Sequence, residues 1–175
     1  MPFGKGQKLL SGVHGIAEKV ISGWGVDGVN TFQKGFPLGL TATPNLTGFN
    51  TGLRPNVIAG CEKTISGPAQ ARLSRWFNTS CFSVPGAFTF GSEGRTDPNI
   101  RGPGIDNFDL SLFKKTRIGE RFNLEFRTEF FNLFNRVLFG NPNLVATTAA
   151  NATFGVISSQ ANTPRVVQLS LRLRY

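Results

Sequence analysis

The stretch Arg165-Val-Val-Gln-Leu-Ser-Leu-Arg-Leu-Arg-Tyr175 decides how this chain is read. Val167, Leu169, Leu171, Leu173 and Tyr175 fall on one face of an extended backbone, and Val166, Gln168, Ser170, Arg172 and Arg174 fall on the other. Strict period-two alternation is the mark of a strand, because successive side chains leave opposite faces. Its span of about 11 residues is what a tilted strand needs to cross a bilayer. A terminal aromatic suits a level where hydrocarbon gives way to water.

The same pattern recurs upstream. In Arg121 to Phe130, Phe122, Leu124, Phe126 and Phe130 alternate with Asn123, Glu125, Arg127 and Glu129. A helix would scatter these phenylalanines around its circumference, so a strand is expected, and the doublet Phe130-Phe131 marks a bulge or the end of the apolar run. In Asn107 to Lys114, Phe108, Leu110 and Leu112 oppose Asn107, Asp109 and Ser111, and Arg117-Ile-Gly-Glu120 has the length of a tight turn between the two runs. Val20, Trp24, Val26 and Phe32 share a register against Gly23, Gly25, Asp27 and Thr31. After an expected turn at Gln33-Lys-Gly35, Phe36, Leu38, Leu40 and Ala42 alternate with Pro37, Gly39 and Thr41.

Five strands are therefore expected. Their connections alternate between short (33–35, 117–120) and long (Thr43 to Ile105, Arg136 to Pro164). Outer-membrane barrels combine tight periplasmic turns with long external loops. That asymmetry puts the C-terminus in the periplasm and both long connections outside. The middle segment, rich in Gly, Pro and Asn, is expected to be mostly irregular, with Trp76 to Val84 and Ala87 to Gly91 as places for a hidden strand.

Composition agrees with strands and turns. The 175 residues include 17 Phe and 21 Gly against one Met and one Tyr. The net charge of +9 is spread in ones and twos, so it indicates loops and a wet face rather than a nucleic-acid interface. No run of about 18 apolar residues offers a spanning helix, and Met1 to Ser11 lacks the apolar core of a signal peptide. Cys61 and Cys81 have no second pair to complete a zinc site. A loop disulfide in an oxidising compartment is preferred over two free thiols.

No motif supports catalysis, a metal or a cofactor. Gly23-Trp-Gly25-Val-Asp-Gly28 has the spacing of a dinucleotide fingerprint but lies inside a strand-like run with no helix after it, so its glycines are expected to make room for neighbours. Glu125 and Glu129 on one strand stand about 13 Å apart, at roughly 3.3 Å per residue, beyond the reach of a glycosidase pair. With Arg127 between them they are expected to form a lumen-side charge ladder with Asp109, Arg172 and Arg174. His14, the single histidine, has no acid or thiol nearby in sequence, and Arg101-Gly-Pro-Gly104 is a turn rather than a phosphate cradle.

Arg101-Gly-Pro-Gly-Ile-Asp-Asn-Phe-Asp-Leu-Ser-Leu-Phe-Lys114 and Phe126-Arg-Thr-Glu-Phe-Phe-Asn-Leu-Phe-Asn135 resemble the C-terminal region of Oar-like TonB-dependent receptors, large outer-membrane barrels. Phe139-Gly-Asn-Pro-Asn143, Phe154-Gly155, Pro164-Arg165, Ser22-Gly-Trp24, Gly35-Phe-Pro37 and Pro2-Phe-Gly-Lys-Gly6 extend the likeness over nearly the whole chain. The resemblance implies uptake of an unidentified substrate driven through TonB, in a barrel whose plug and remaining strands are not seen in this sequence. It also implies that Val167, Leu169, Leu171, Leu173 and Tyr175 serve as the signal for the barrel-assembly machinery.

The resulting expectation is an all-β, partial antiparallel transmembrane barrel over residues 1–175, embedded in outer-membrane lipid and lipopolysaccharide, without enzymatic activity or cofactor and not transport-competent alone. A soluble β-sandwich or adhesin-like module is the alternative. It would hide the same apolar faces between two sheets.

Overall fold

A computed structural model of the chain describes residues 15–148 and 153–175. His14 and the motif at 2–6 lie outside them. A short helix α1 (Ile16–Ile21) is followed by ten strands: β1 (Trp24–Gln33), β2 (Pro37–Leu38), β3 (Thr41–Thr43), β4 (Asn56–Val57), β5 (Phe82–Ser83), β6 (Asp97–Arg101), β7 (Ile105–Ile118), β8 (Phe122–Phe131), β9 (Val145–Thr147) and β10 (Val166–Arg174). They divide between two compact units. The first holds residues up to Phe32, Asp106–Arg136 and Thr163–Tyr175; the second holds Gln33–Ile105 and Val137–Asn162.

The first unit is a four-stranded sheet in the order β1-β7-β8-β10. β8 pairs antiparallel with β7, from Leu110 opposite Phe130 to Ile118 opposite Phe122, and with β10, from Val166 opposite Phe131 to Arg174 opposite Asn123. Lys115 N–H donates to Gly23 O at 2.8 Å, and Phe32 meets Phe108 edge to face at 5.2 Å, so β1 also runs antiparallel to β7. Gly119, at φ 63, makes the tight turn between β7 and β8. The chain leaves and re-enters the other end of the sheet twice, between β1 and β7 and between β8 and β10.

One expectation is corrected by this topology. Phe36 to Ala42 is not a membrane-length strand, and Gln33-Lys-Gly35 is not a hairpin turn. The run splits into β2, which pairs with β6, and β3, which pairs parallel with β9. Leu38, Leu40 and Ala42 do share a face, but it is buried in the second unit. Alternation reports that one side is covered and not what covers it. β1 therefore runs opposite to the expected direction, and four strands instead of five make up the sheet.

The second unit is built from the two long connections; its backbone is mostly irregular, as expected, and it is packed around a core of its own. Leu38, Leu40, Trp76, Phe77, Phe82, Ile100 and Ile157 form its core around the fully buried Cys81. Phe77, Phe82 and Phe154 meet edge to face at 5.3 to 6.2 Å, the geometry favoured by the ring quadrupoles. Regular strands are short, so loop backbones satisfy one another across the unit: Ala42 N–H donates to Leu53 O, Trp76 N–H to Gly155 O and Ile157 N–H to Leu73 O, each at 2.8 Å. Trp76 to Val84 contains β5, whereas Ala87 to Gly91 forms no strand. A disulfide joins Cys61 to Cys81, with 5.5 Å between their Cα atoms.

Leu40 is 1% exposed. Leu40→Ala should destabilise the second unit by about 2–5 kcal/mol, seen as an earlier urea midpoint in tryptophan fluorescence with the disulfide intact. An unchanged midpoint would mean that this core is not what holds the unit together.

Candidate functional site: the two faces of the sheet

The register sorts the sheet into two chemically distinct faces. Leu110, Leu112, Phe122, Leu124, Phe126, Phe130, Val167, Leu169, Leu171 and Leu173 share one of them. Much of it is bare: Leu169 is 66% exposed and Leu171 69%. Trp24, Val26 and Phe32 continue it on β1. A contiguous apolar face of this kind on a soluble monomer would be a liability; in hydrocarbon it is the stable arrangement.

Lys114 breaks the apolar face, and its ammonium is accounted for. Its Nζ lies 5.0 Å from the Trp24 ring centroid and donates to the carbonyls of Val20 and Ser22, each at 2.9 Å. The charge is thus carried along an apolar stem to the end of α1, where the Val20 carbonyl, which also accepts from Trp24 Nε1, and the Ser22 carbonyl accept it.

On the opposite face Arg127 stands between two carboxylates. Its Nε is 3.4 Å from Glu125 and its Nη1 is 3.6 Å from Glu129, while Lys115 reaches Glu125 at 4.0 Å. Phe113 lies among these charges, with Lys115 Nζ 5.2 Å and the Arg127 guanidinium 5.0 Å from its ring. The ring takes the space over Gly25, where an added Cβ would come within 2.2 Å of it. Gly23 is tighter still: it has φ +81, and a Cβ would sit 2.1 Å from the Lys115 carbonyl oxygen. The glycine spacing that imitates a nucleotide fingerprint is therefore close packing of β1 on β7.

Three members of the expected ladder stand apart from it. Asp109 Oδ1 instead accepts from the Asn132 backbone N–H at 2.8 Å and from Asn107 Nδ2 at 3.0 Å. Asn132 is a buried corner residue at φ 53, and its side chain also binds Arg136 N–H and the carbonyls of Arg136 and Thr163. The carboxylate of Asp109 thus fixes the end of β8 rather than balancing an arginine. Arg172 stands across from Glu125 in register, but Glu125 is engaged by Arg127 and Lys115. Among the described residues neither Arg172 nor Arg174 enters an ion pair. Both lie on β10, an edge of this sheet, where they are exposed.

The second unit holds a charged cluster that no local pattern of residues signals. Lys63 Nζ lies 2.5 Å from Asp97 Oδ2 and 3.2 Å from Glu93 Oε2, and both carboxylates are buried. Their remaining oxygens accept from Asn99 N–H and Gly94 N–H at 2.8 Å. The partners are 30 and 34 positions apart in the chain, so no local pattern links them. Phe113 and Lys115 were within reach of sequence, one and two steps beyond Ser111 along the alternation of β7. Among the described residues no group of three or more His, Cys, Asp or Glu forms a metal site.

An antiparallel sheet with one apolar and one charged face, whose long connections leave a single end, defines a section of an outer-membrane β-barrel wall. Residues 1–168 match the model of the family described as outer membrane beta barrel domain, and the chain belongs to that family. Its place is the outer membrane. No curated protein and no solved structure matches it.

Lys63 tests the cluster. Burial draws its ammonium down, but hydrogen bonds and charge from Asp97 and Glu93 outweigh that and hold it above its ordinary value of 10.5. The stabilisation is thus complete below that value and is lost as pH rises through the higher, folded one. Lys63→Met, which leaves two buried carboxylates unpaired, should cost about 3–5 kcal/mol at neutral pH. It should also abolish the alkaline fall in stability, both read from urea midpoints between neutral and strongly alkaline pH.

Proposed function

We propose that the chain forms part of the wall of an Oar-like TonB-dependent receptor, with its C-terminus in the periplasm and its second unit outside the cell. The observation that carries this reading is the sheet's polarity of connection: one tight turn at Gly119 at one end, and two long connections leaving the other. Barrels of this membrane have short periplasmic turns and long external loops. A disulfide in the long connections suits an oxidising exterior. The motifs from Arg101 to Lys114 and from Phe126 to Asn135 point to the receptor type.

In this reading the apolar face meets lipid and lipopolysaccharide, and the Glu125–Arg127–Glu129 face lines the interior. β1 and β10 each offer an open edge among the described residues. Unpaired backbone groups in hydrocarbon cost several kcal/mol each, so those edges join further strands of the same wall, about 22 in transporters of this class. A plug inside that wall is the element through which TonB would act. Four strands alone do not transport, and the sheet carries no catalytic role. Nucleic acid is not among the partners of this reading, since the cations are spread in ones and twos along the chain rather than gathered in a stripe. Tyr175 and the apolar residues before it are read by the barrel-assembly machinery. The substrate is not identified by these features.

Two measurements test this. In intact cells Asn50→Cys should react with a membrane-impermeant maleimide and Glu120→Cys only after the outer membrane is permeabilised; the opposite pattern would put the C-terminus outside. Tyr175→Ala should lower the fraction of chain recovered in outer membranes several-fold, and unchanged recovery would remove the assembly role. A monodisperse monomer in water without detergent would favour the soluble sandwich instead.

A further inference from the structure

We propose that the second unit carries a binding site for one neutral sugar ring, in a cavity between β5 and β9. The cavity measures about 210 Å³ and lies against Thr79, Ser80, Ser83 and Thr147, with Phe82 and Phe154 supplying apolar surface. That is smaller than the roughly 300–1,000 Å³ of sites for drug-sized ligands, and it calls for a compact molecule.

The lining selects the chemistry by what it offers and what it lacks. No charged side chain lines the cavity, although the chain carries a net charge of +9. A phosphate or carboxylate would find no cation to hold it. The guanidinium of Arg75, which is tied to the rim at Ser80 Oγ at 3.2 Å, is also hydrogen-bonded to Asn78 Oδ1 at 2.7 Å. An apolar ligand would fare no better. The hydroxyls of Thr79, Ser83 and Thr147 form no hydrogen bond with other described residues, and covering them with hydrocarbon would remove their water without replacement.

A sugar ring answers both conditions. Its hydroxyls donate and accept in the same way as those of Ser and Thr, and its C–H groups meet the half-buried Phe154, behind which Phe82 is buried. The walls are held in place independently of any ligand. Phe82 and Phe154 pack edge to face at 6.2 Å, Phe82 is buried beside the disulfide-bonded Cys81, and Ala146 pairs with Ala42 between β9 and β3. A preformed site loses little ordering entropy on binding.

The inference concerns equilibrium binding and stands or falls apart from the TonB reading. The experiment is saturation-transfer NMR on the full, oxidised chain in detergent micelles. The probes are D-glucose, D-galactose, D-mannose, D-xylose and L-arabinose, with D-glucose 6-phosphate and cyclohexanol as charged and apolar counterparts. At least one neutral sugar should bind, and more tightly than either counterpart. Ser83→Ala combined with Thr147→Val should weaken that binding about tenfold, the equivalent of two lost hydrogen bonds. Ser83→Thr combined with Thr147→Ser, which keeps both hydroxyls, should retain most of it. Near-UV circular dichroism checks that each variant is folded. Absence of binding by all five sugars, tighter binding of the phosphate or of cyclohexanol, or indifference to the hydroxyl-free pair would each overturn the proposal.

Discussion

A strand in hydrocarbon has no water to satisfy its backbone, so every N–H and C=O must be met by a neighbouring strand. The rest of the molecule follows from that constraint. Pairing of β8 with β7 on one side and β10 on the other leaves only side chains to meet lipid or lumen, and the period of two then assigns each residue to one of them. Leucine, valine and phenylalanine fill one face. Charged residues are tolerated on the other because Arg127 stands between two carboxylates, one of which Lys115 also reaches.

The second unit obeys a different balance. It has few long strands, so its backbone is satisfied by scattered hydrogen bonds between loops and its stability rests on a compact aromatic core. The disulfide between Cys61 and Cys81 shortens the loops available to the unfolded chain. Lys63 draws together Glu93 and Asp97 beside that core. A buried charge triad of this kind contributes little net stability over an apolar replacement, yet it penalises any arrangement in which one partner is missing. Its contribution is to hold loops distant in sequence in a single arrangement.

Glycine does comparable work where the two strands closest to the N-terminal side meet. Gly23 and Gly25 let β1 approach β7 so closely that the Lys115 carbonyl and the Phe113 ring occupy the places of absent side chains. Asn132 and Asn135, both in the left-handed region, turn the chain out of β8. Asn132 spends its whole side-chain amide and its backbone N–H on that corner, which accounts for the Phe-Asn-Leu-Phe-Asn text at 131–135.

Alternation alone determined that residues 107–114, 121–130 and 165–175 are strands, which residues share a face, and that short and long connections alternate. A strand's side chains obey its local geometry, so these facts need no knowledge of neighbours. The tertiary structure decided what that pattern could not. The apolar face of Leu38, Leu40 and Ala42 is covered by protein and not by lipid, because burial in a core and burial in a membrane demand the same period. Asp109 and Arg172 part from the ladder because the Asn132 corner takes the Asp109 carboxylate, and Arg127 and Lys115 take Glu125, which faces Arg172. Lys63, Glu93 and Asp97 meet only once the long connections have folded, since nothing in the intervening residues records that encounter.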